Sequence, residues 1–242
     1  MSAPTLLLSD LHLPAAPSPL RETFRSFLRG PARESKAVYI LGDLFEHWIG
    51  DDLGLVDYAD EAQELRALHN GGVALYFMRG NRDFLVGKAF SAATGVTLLP
   101  DPVQIRLAGV ATLLSHGDLY CTADVAYQRW RRFAHNRRVQ QIFLRLPAKL
   151  RRRIAGAARG RSESDKQSKP VSIMDVDPGA IDAAFRRYDV DRIIHGHTHR
   201  PDLHQLEVDA RIVERLVLAD WHPGRCEYLR CDEDRIERVC LR

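Results

Sequence analysis

Cysteine is scarce in this chain: four residues in 242 (Cys121, Cys226, Cys231, Cys240), none of them in a Cys-x-x-Cys pair. That excludes a disulfide-stapled scaffold or a cysteine zinc knuckle, and predicts reduced thiols buried as small apolar side chains. No apolar run approaches the roughly 18 to 20 residues that a spanning helix needs. Residues 1–4 lack a basic region and Asp10 interrupts the apolar residues 6–8, so no signal peptide is expected. There is no repeat, and no Gly/Ser/Pro-rich linker divides the chain. At about 150 residues per domain, the expectation is one domain, 1–242, carrying an insertion. Neither charge sign dominates, with 35 basic and 32 acidic residues giving +3.

The distribution of charge is more informative. Between residues 129 and 161 stand twelve Arg or Lys and no Asp or Glu, so the remainder of the chain is strongly acidic. The two parts should face different partners. Hydrophobic content of 45% is ordinary for a globular protein.

Short apolar runs recur at 6–8, 38–41, 73–78, 111–114 and 193–194, each followed at once by polar residues. They read as buried strands. Helical patterns lie between several of them, at 19–29 (Ser18 capping, Pro19 in the first turn), 58–69, 84–94 and 178–188, which makes the fold α/β. After the last helix come strand patterns at 203–208, 212–219, 226–231 and 236–240, predicting a second, more antiparallel sheet. Residues 124–171 break the rhythm with Arg-rich helices carrying Ile142, Phe143, Leu146, Leu150 and Ile154. This reads as an inserted helical cap, interrupted at Pro147 and containing a mobile polar loop over 160–168.

The polar residues behind the five strands form a set: Asp10 and His12, Asp43, Asn81, His116, then His195, His197 and His199. In an α/β sheet such positions converge beyond the strand ends. Any one of them alone is most simply a cap or turn residue, but five clusters in register after five strands are not. Imidazole mixed with carboxylate and amide oxygen suits Mn²⁺, Fe²⁺ or Zn²⁺, and the donors outnumber what one ion requires. Two metals about 3.5 to 4 Å apart would share a carboxylate, generate a hydroxide nucleophile and neutralise phosphoryl oxygens.

Asp10-Leu-His12, Gly42-Asp43, Gly80-Asn81-Arg82-Asp83, His116-Gly117-Asp118 and Gly196-His197-Thr198-His199 resemble the calcineurin-like metallophosphoesterases. The resemblance implies a two-layer β-sandwich flanked by helices. It also implies Asp10, His12, Asp43 and His199 on one metal, and Asn81, His116 and His197 with bridging Asp43 on the other. His195 lies outside that pattern and is expected to be buried or to support a ligand.

Where the common family pattern has a histidine that protonates a leaving alkoxide, this chain has Arg82. Arginine stays protonated but can grip a phosphate. A phosphate monoester leaves as an anion with a second pKa of roughly 6, so Arg82 favours a pyrophosphate bond over an alkyl phosphoester. The longer strings, among them Gly42-Asp43-Leu-Phe-Glu46-His-Trp48-Ile-Gly50-Asp51-Asp52 and Ile194-His-Gly-His-Thr-His-Arg-Pro201, resemble the UDP-2,3-diacylglucosamine diphosphatase family of lipid A synthesis.

That closer resemblance implies hydrolysis of UDP-2,3-diacylglucosamine to UMP and 2,3-diacylglucosamine 1-phosphate by water attack at a dinuclear Mn²⁺ site. Asp43, Asn81, Arg82 and His116 would be catalytic. Asn81, Arg82, Asp124, Ser162, Lys166, Lys169 and His197 would bind substrate. The basic cap admits three readings: a solvated face, a nucleic-acid grip, or an amphipathic surface on anionic lipid headgroups. The last matches a membrane-borne substrate best, and the segment offers few rings for base stacking. The expectation is a monomer in peripheral contact with the cytoplasmic face of the inner membrane, with no nucleic-acid partner. Tyr127 and Trp130, three apart, either line an acyl cleft or pack between helices; Trp48 is expected to face cap or substrate, and Trp221 to be structural.

Overall fold

The computed structural model describes residues 3–168 and 175–241, with side chains left undescribed at 159 and 161–168. Two sheets lie face to face. The first runs β11 (Ile236–Cys240), β10 (Glu227–Cys231), β1 (Thr5–Leu8), β2 (Ala37–Leu41), β3 (Ala74–Met78), β4 (Thr97–Leu99). The second runs β5 (Val103–Leu107), β6 (Val110–Ser115), β7 (Arg192–His195), β9 (Arg211–Val217), β8 (Asp202–Val208). β1 to β4 are parallel, as are β6, β7 and β9, while the outer pairs are antiparallel.

The strands are apolar throughout because both faces are covered. Leu6 and Leu8 of β1 meet Phe24, Phe27 and Leu28 of α1 (Pro19–Arg29), whereas Leu7 between them faces Leu114 and Ile194 of the other sheet. Likewise Leu113 and Ile193 face Ile181 and Phe185 of α8 (Pro178–Tyr188). The sandwich therefore has helices on both outer surfaces, α1, α3 (Ala59–Asn70) and α4 (Lys88–Thr94) on one and α8 on the other. The β-sandwich flanked by helices is the architecture expected.

Several details differ from the sequence reading. The late strands do not build a separate sheet: β8 and β9 extend the second sheet through a parallel β7·β9 pair, and β10 and β11 extend the first. Two short strands, β4 and β5, were missed, their patterns being brief and half exposed. A short helix, α2 (Asp51–Asp57), precedes α3. The helix expected over 84–94 starts only at Lys88, because Asp51, 37 residues away, supplies its cap: it accepts N–H bonds from Gly87, Ala89 and Phe90 at 2.9, 2.9 and 3.1 Å.

The segment expected to be an insertion contains α5 (Val125–Ala134), α6 (Arg137–Leu144) and α7 (Ala148–Ser168). α6 and α7 are separated at Pro147, as expected, but 160–168 is not a loop. Its Arg, Glu, Lys and Gln are good helix formers and it contains no proline, so α7 continues through it. This helical segment is tied to residues 49–57 through α7. Arg151, almost wholly buried, pairs with both oxygens of Asp52 and donates to Ile49 O at 2.7 Å, and Arg152 pairs with Asp57 at 3.0 Å.

Candidate metal centre

The residues that follow β1, β2, β3, β6 and β7 meet at one end of the sandwich. Asp10, His12, Asp43 and Asn81 come from the first sheet, His116, His197 and His199 from the second. His12 Nε2 and His199 Nε2 stand 3.2 Å apart, with Asp10 Oδ1 3.4 Å from His199 Nε2 and 4.0 Å from His12 Nε2. On the other side of Asp43, His116 Nε2 lies 3.8 Å from Asp43 Oδ1 and 3.0 Å from Asn81 Oδ1. The His197 ring lies against His116, centroids 5.1 Å apart, and its amide donates to Asp10 Oδ2 at 2.8 Å. The ligand atoms of Asp10, His12 and His199, and those of Asp10, Asp43 and His116, form two groups within 4.8 Å.

Five of these seven residues, Asp10, His12, Asp43, His197 and His199, have φ between 48° and 69°. Outside glycine that region is sparsely used and costs on the order of 1 kcal/mol or more per residue. Tight left-handed bends aim the side chains inward where straight strand continuations would carry them past one another.

Neighbouring groups hold the ligands in place. Ser9 Oγ donates to Asp10 Oδ2 at 2.6 Å, and the Arg82 amide to Asp43 Oδ1 at 2.8 Å. His116 Nδ1 donates to Leu41 O at 2.9 Å, which turns Nε2 into the cluster, where a metal would take the place of its proton. Asp83, fully buried, accepts N–H bonds from Leu44 and Gly80 at 2.8 and 2.7 Å and so ties the loop after β2 to the loop after β3. Gly80 makes that approach feasible: a Cβ there would stand 2.5 Å from the Asp43 nitrogen.

Electrostatics favour a cation. Burial pushes the Asp43 carboxyl up, with Asp83 and Asp10 adding to it. Burial acts the same way on Asp10, but His199, His116 and His12 together carry it well below the usual carboxylate range. Burial alone would lower His116, yet Asp43, Asp10 and Asp118 raise it, so an imidazolium proton stands where a metal would neutralise the carboxylates. Burial lowers His197 to about 3, keeping it neutral. Asp10 Oδ1 is a buried oxygen with no well-formed hydrogen bond among the described residues. These donors fit a divalent metal.

The other expected residues are placed as follows. Arg82 pairs through its guanidinium with Glu46, beside Asp43. Asp124 caps α5, accepting the Tyr127 amide at 3.0 Å. Ser162 and Lys166 fall on α7 with undescribed side chains, and Lys169 lies outside the described residues. His195 is buried: Nδ1 donates to Gly196 O at 2.9 Å and Nε2 accepts from Arg215 at 3.1 Å. Trp48 is buried and packed among Phe45, Tyr58 and Phe90, with Nε1 donating to Asp51 at 3.0 Å. Trp221 is structural, edge-on to Phe24 and Phe27. Tyr127 stacks on His197 and donates to Asp118 at 2.7 Å. Cys121 and Cys231 are buried as expected, while Cys226 is half-buried and Cys240 exposed. Sequence reasoning missed Asp83, Asp51 and Asp220, the last 3.6 Å from His199 Nδ1; the Gly-Asn-Arg-Asp string was the available signal for Asp83.

A mixed imidazole, carboxylate and amide cluster at the strand ends of an α/β-layered sandwich defines a metal-dependent phosphoester hydrolase. The chain belongs to the calcineurin-like phosphoesterase family, whose pattern matches residues 3–201. It is 44% identical over 238 residues to the UDP-2,3-diacylglucosamine hydrolase of Aeromonas hydrophila, covering 98% of this chain and 99% of that protein. The proteins of the same name from Serratia proteamaculans and Neisseria gonorrhoeae are each 46% identical, covering 90% and 96% of this chain and 91% and 95% of theirs. In fold it is similar to a solved archaeal phosphodiesterase, with a TM-score of 0.50, 11% identity and coverage of 98% and 99%. No helix among the described residues is long and apolar enough to cross a membrane.

Proposed function

We propose that this protein hydrolyses the pyrophosphate bond of UDP-2,3-diacylglucosamine, releasing UMP and 2,3-diacylglucosamine 1-phosphate, with two Mn²⁺ ions held by Asp10, His12, Asp43, Asn81, His116, His197 and His199. The observation that carries the reading is Arg82 beside the donor cluster, in a chain whose full-length relatives bear that substrate in their names. A divalent metal bound there supplies Lewis acidity, acidifying water and drawing charge from phosphoryl oxygens.

The chain's own groups do the remainder. Asn81 and His197 orient a phosphoryl oxygen, and Arg82 neutralises charge on the departing phosphate, which needs no proton. His116 is locked by Leu41 O, so the Nε2 lone pair faces inward towards the metal.

The cap, 124–171 within a single domain 1–242, receives the lipid. Supporting this, seven large apolar side chains between 125 and 154 are exposed (Val125, Trp130, Phe133, Ile142, Leu144, Leu150 and Ile154), an apolar face of the kind that marks a binding surface. Asp124, Ser162, Lys166 and Lys169 bind the glucosamine phosphate. The Arg-rich surface touches anionic headgroups, so a monomer sits peripherally on the cytoplasmic face of the inner membrane and binds no nucleic acid.

The test is UMP release from UDP-2,3-diacylglucosamine by purified protein with and without Mn²⁺, alongside Asp43→Ala. Metal-dependent release that the variant loses is expected. No release from metal-loaded wild type that still cleaves a small phosphodiester would refute the substrate.

A further inference from the structure

We propose that Asp118 is a positioning residue that seats the cap on the metal centre. This rests on the reading of the cap as the part that receives the lipid. Asp118 lies two residues beyond His116 in a short turn, Asp118–Tyr120, and is buried.

One face of α5 converges on it. Its Oδ2 accepts from Tyr127 Oη and Arg131 Nε, both at 2.7 Å, and its backbone oxygen accepts from Gln128 Nε2 at 2.8 Å. Positions 127 and 131 are four apart and therefore on one side of the helix. Two of these contacts reach further. The Tyr127 ring stacks on His197, centroids 5.9 Å apart. The Arg131 guanidinium lies 3.8 Å from Asp101, whose carboxylate accepts from Ser115 Oγ at 2.7 Å and from the His116 amide at 3.3 Å.

One carboxylate thus joins the first cap helix to the loops that carry His116 and His197. Arg131 lies between the buried Asp118 and the half-buried Asp101, so its loss would remove the cation that these two carboxylates share. Asp118 touches no reacting atom. Its role is to fix the distance and tilt of α5 over the donors, and with them the depth at which a long substrate lies relative to the metals.

Two substrates separate this role from a general structural one. UDP-2,3-diacylglucosamine needs the cap, whereas bis(p-nitrophenyl) phosphate is too small to need it. With metal-loaded protein, Asp118→Asn and Arg131→Met should each raise KM for the lipid nucleotide at least tenfold. Turnover of the small diester should stay within threefold and metal content should not change. The double variant should be no worse than Asp118→Asn, and Arg131→Lys should recover much of the KM.

An unchanged KM in Arg131→Met, additive effects in the double variant, or loss of metal from Asp118→Asn would overturn the proposal. If wild type cleaves the diester but not the lipid nucleotide, the substrate reading fails, and amide hydrogen exchange decides this one. Faster exchange across 125–134 in both single variants upholds it, and unchanged exchange overturns it.

Discussion

Replacing Gly80 with alanine should disable the donor cluster without relying on backbone strain. Gly80 is not among the glycines with positive φ, so alanine can adopt its conformation. The obstacle is distance. The new Cβ would stand 2.5 Å from the Asp43 nitrogen and 2.9 Å from its Cγ, where 3.4 Å is the near edge of ordinary contact. Asp43 must therefore retreat by about 0.9 Å, the shortfall at its nitrogen. Metal–ligand distances tolerate only about 0.2 Å, and disturbing groups that merely support a ligand already costs roughly 10- to 100-fold in affinity. Overpacking should add about 1 to 3 kcal/mol of destabilisation. The assay is metal content after dialysis, with turnover and urea unfolding. Gly72→Ala is the control: its φ is +92° but nothing lies within 4 Å of the added methyl. It should cost about 1 to 2 kcal/mol and leave metal binding intact. If Gly80→Ala retains metal and turnover at wild-type levels, the argument from close approach is wrong.

Four other outcomes are expected. Arg82→Ala should lower turnover by about 10² to 10³ with metal content unchanged, because the hydrogen bond to Asp43 comes from the backbone amide that alanine keeps; loss of metal would contradict this. Arg151→Met should lower unfolding free energy by about 1 to 3 kcal/mol, chiefly through the lost donor to Ile49 O, since Asp52 is well exposed and rehydrates; denaturant titration checks it. Burial depresses His195 to about 4 from 6.5, so its stabilising contribution is complete above pH 6.5 and is lost as pH falls towards 4, by about 3 kcal/mol. Unfolding of the chelated protein should show that slope, and His195→Gln should flatten it. Saturating Mn²⁺ at about 100 times its Kd should stabilise the protein by about 2.7 kcal/mol for each site filled, and an unchanged melting temperature would count against the cluster as a metal site.

The central strands were legible because burial on both faces writes them as continuous apolar runs: residues 6–8 match β1 closely, and 193–194 sit within β7. The donor residues were legible for a related reason, since strand ends in such folds deliver side chains to one edge. Pairing was not: nothing local in 212–219 says that β9 will lie parallel to β7. Nor could sequence show that Asp51 caps a helix 37 residues away, or that Trp48, set among the motif residues, turns into the core. In the cap, composition gave helices and the proline break, but the polar stretch 160–168 resembled a loop only because it has no apolar stripe to pack.

The seven donors come four from one sheet and three from the other, and that division bears on how the sandwich holds together. The protein has four free thiols and no cystine among its described residues. A cation shared by Asp43 and His116 would take over that office, a removable rivet driven through the seam between the two sheets. Chelation would then loosen the layers against each other at this end first, and the fidelity of their alignment would be read directly in how well the protein keeps its metal.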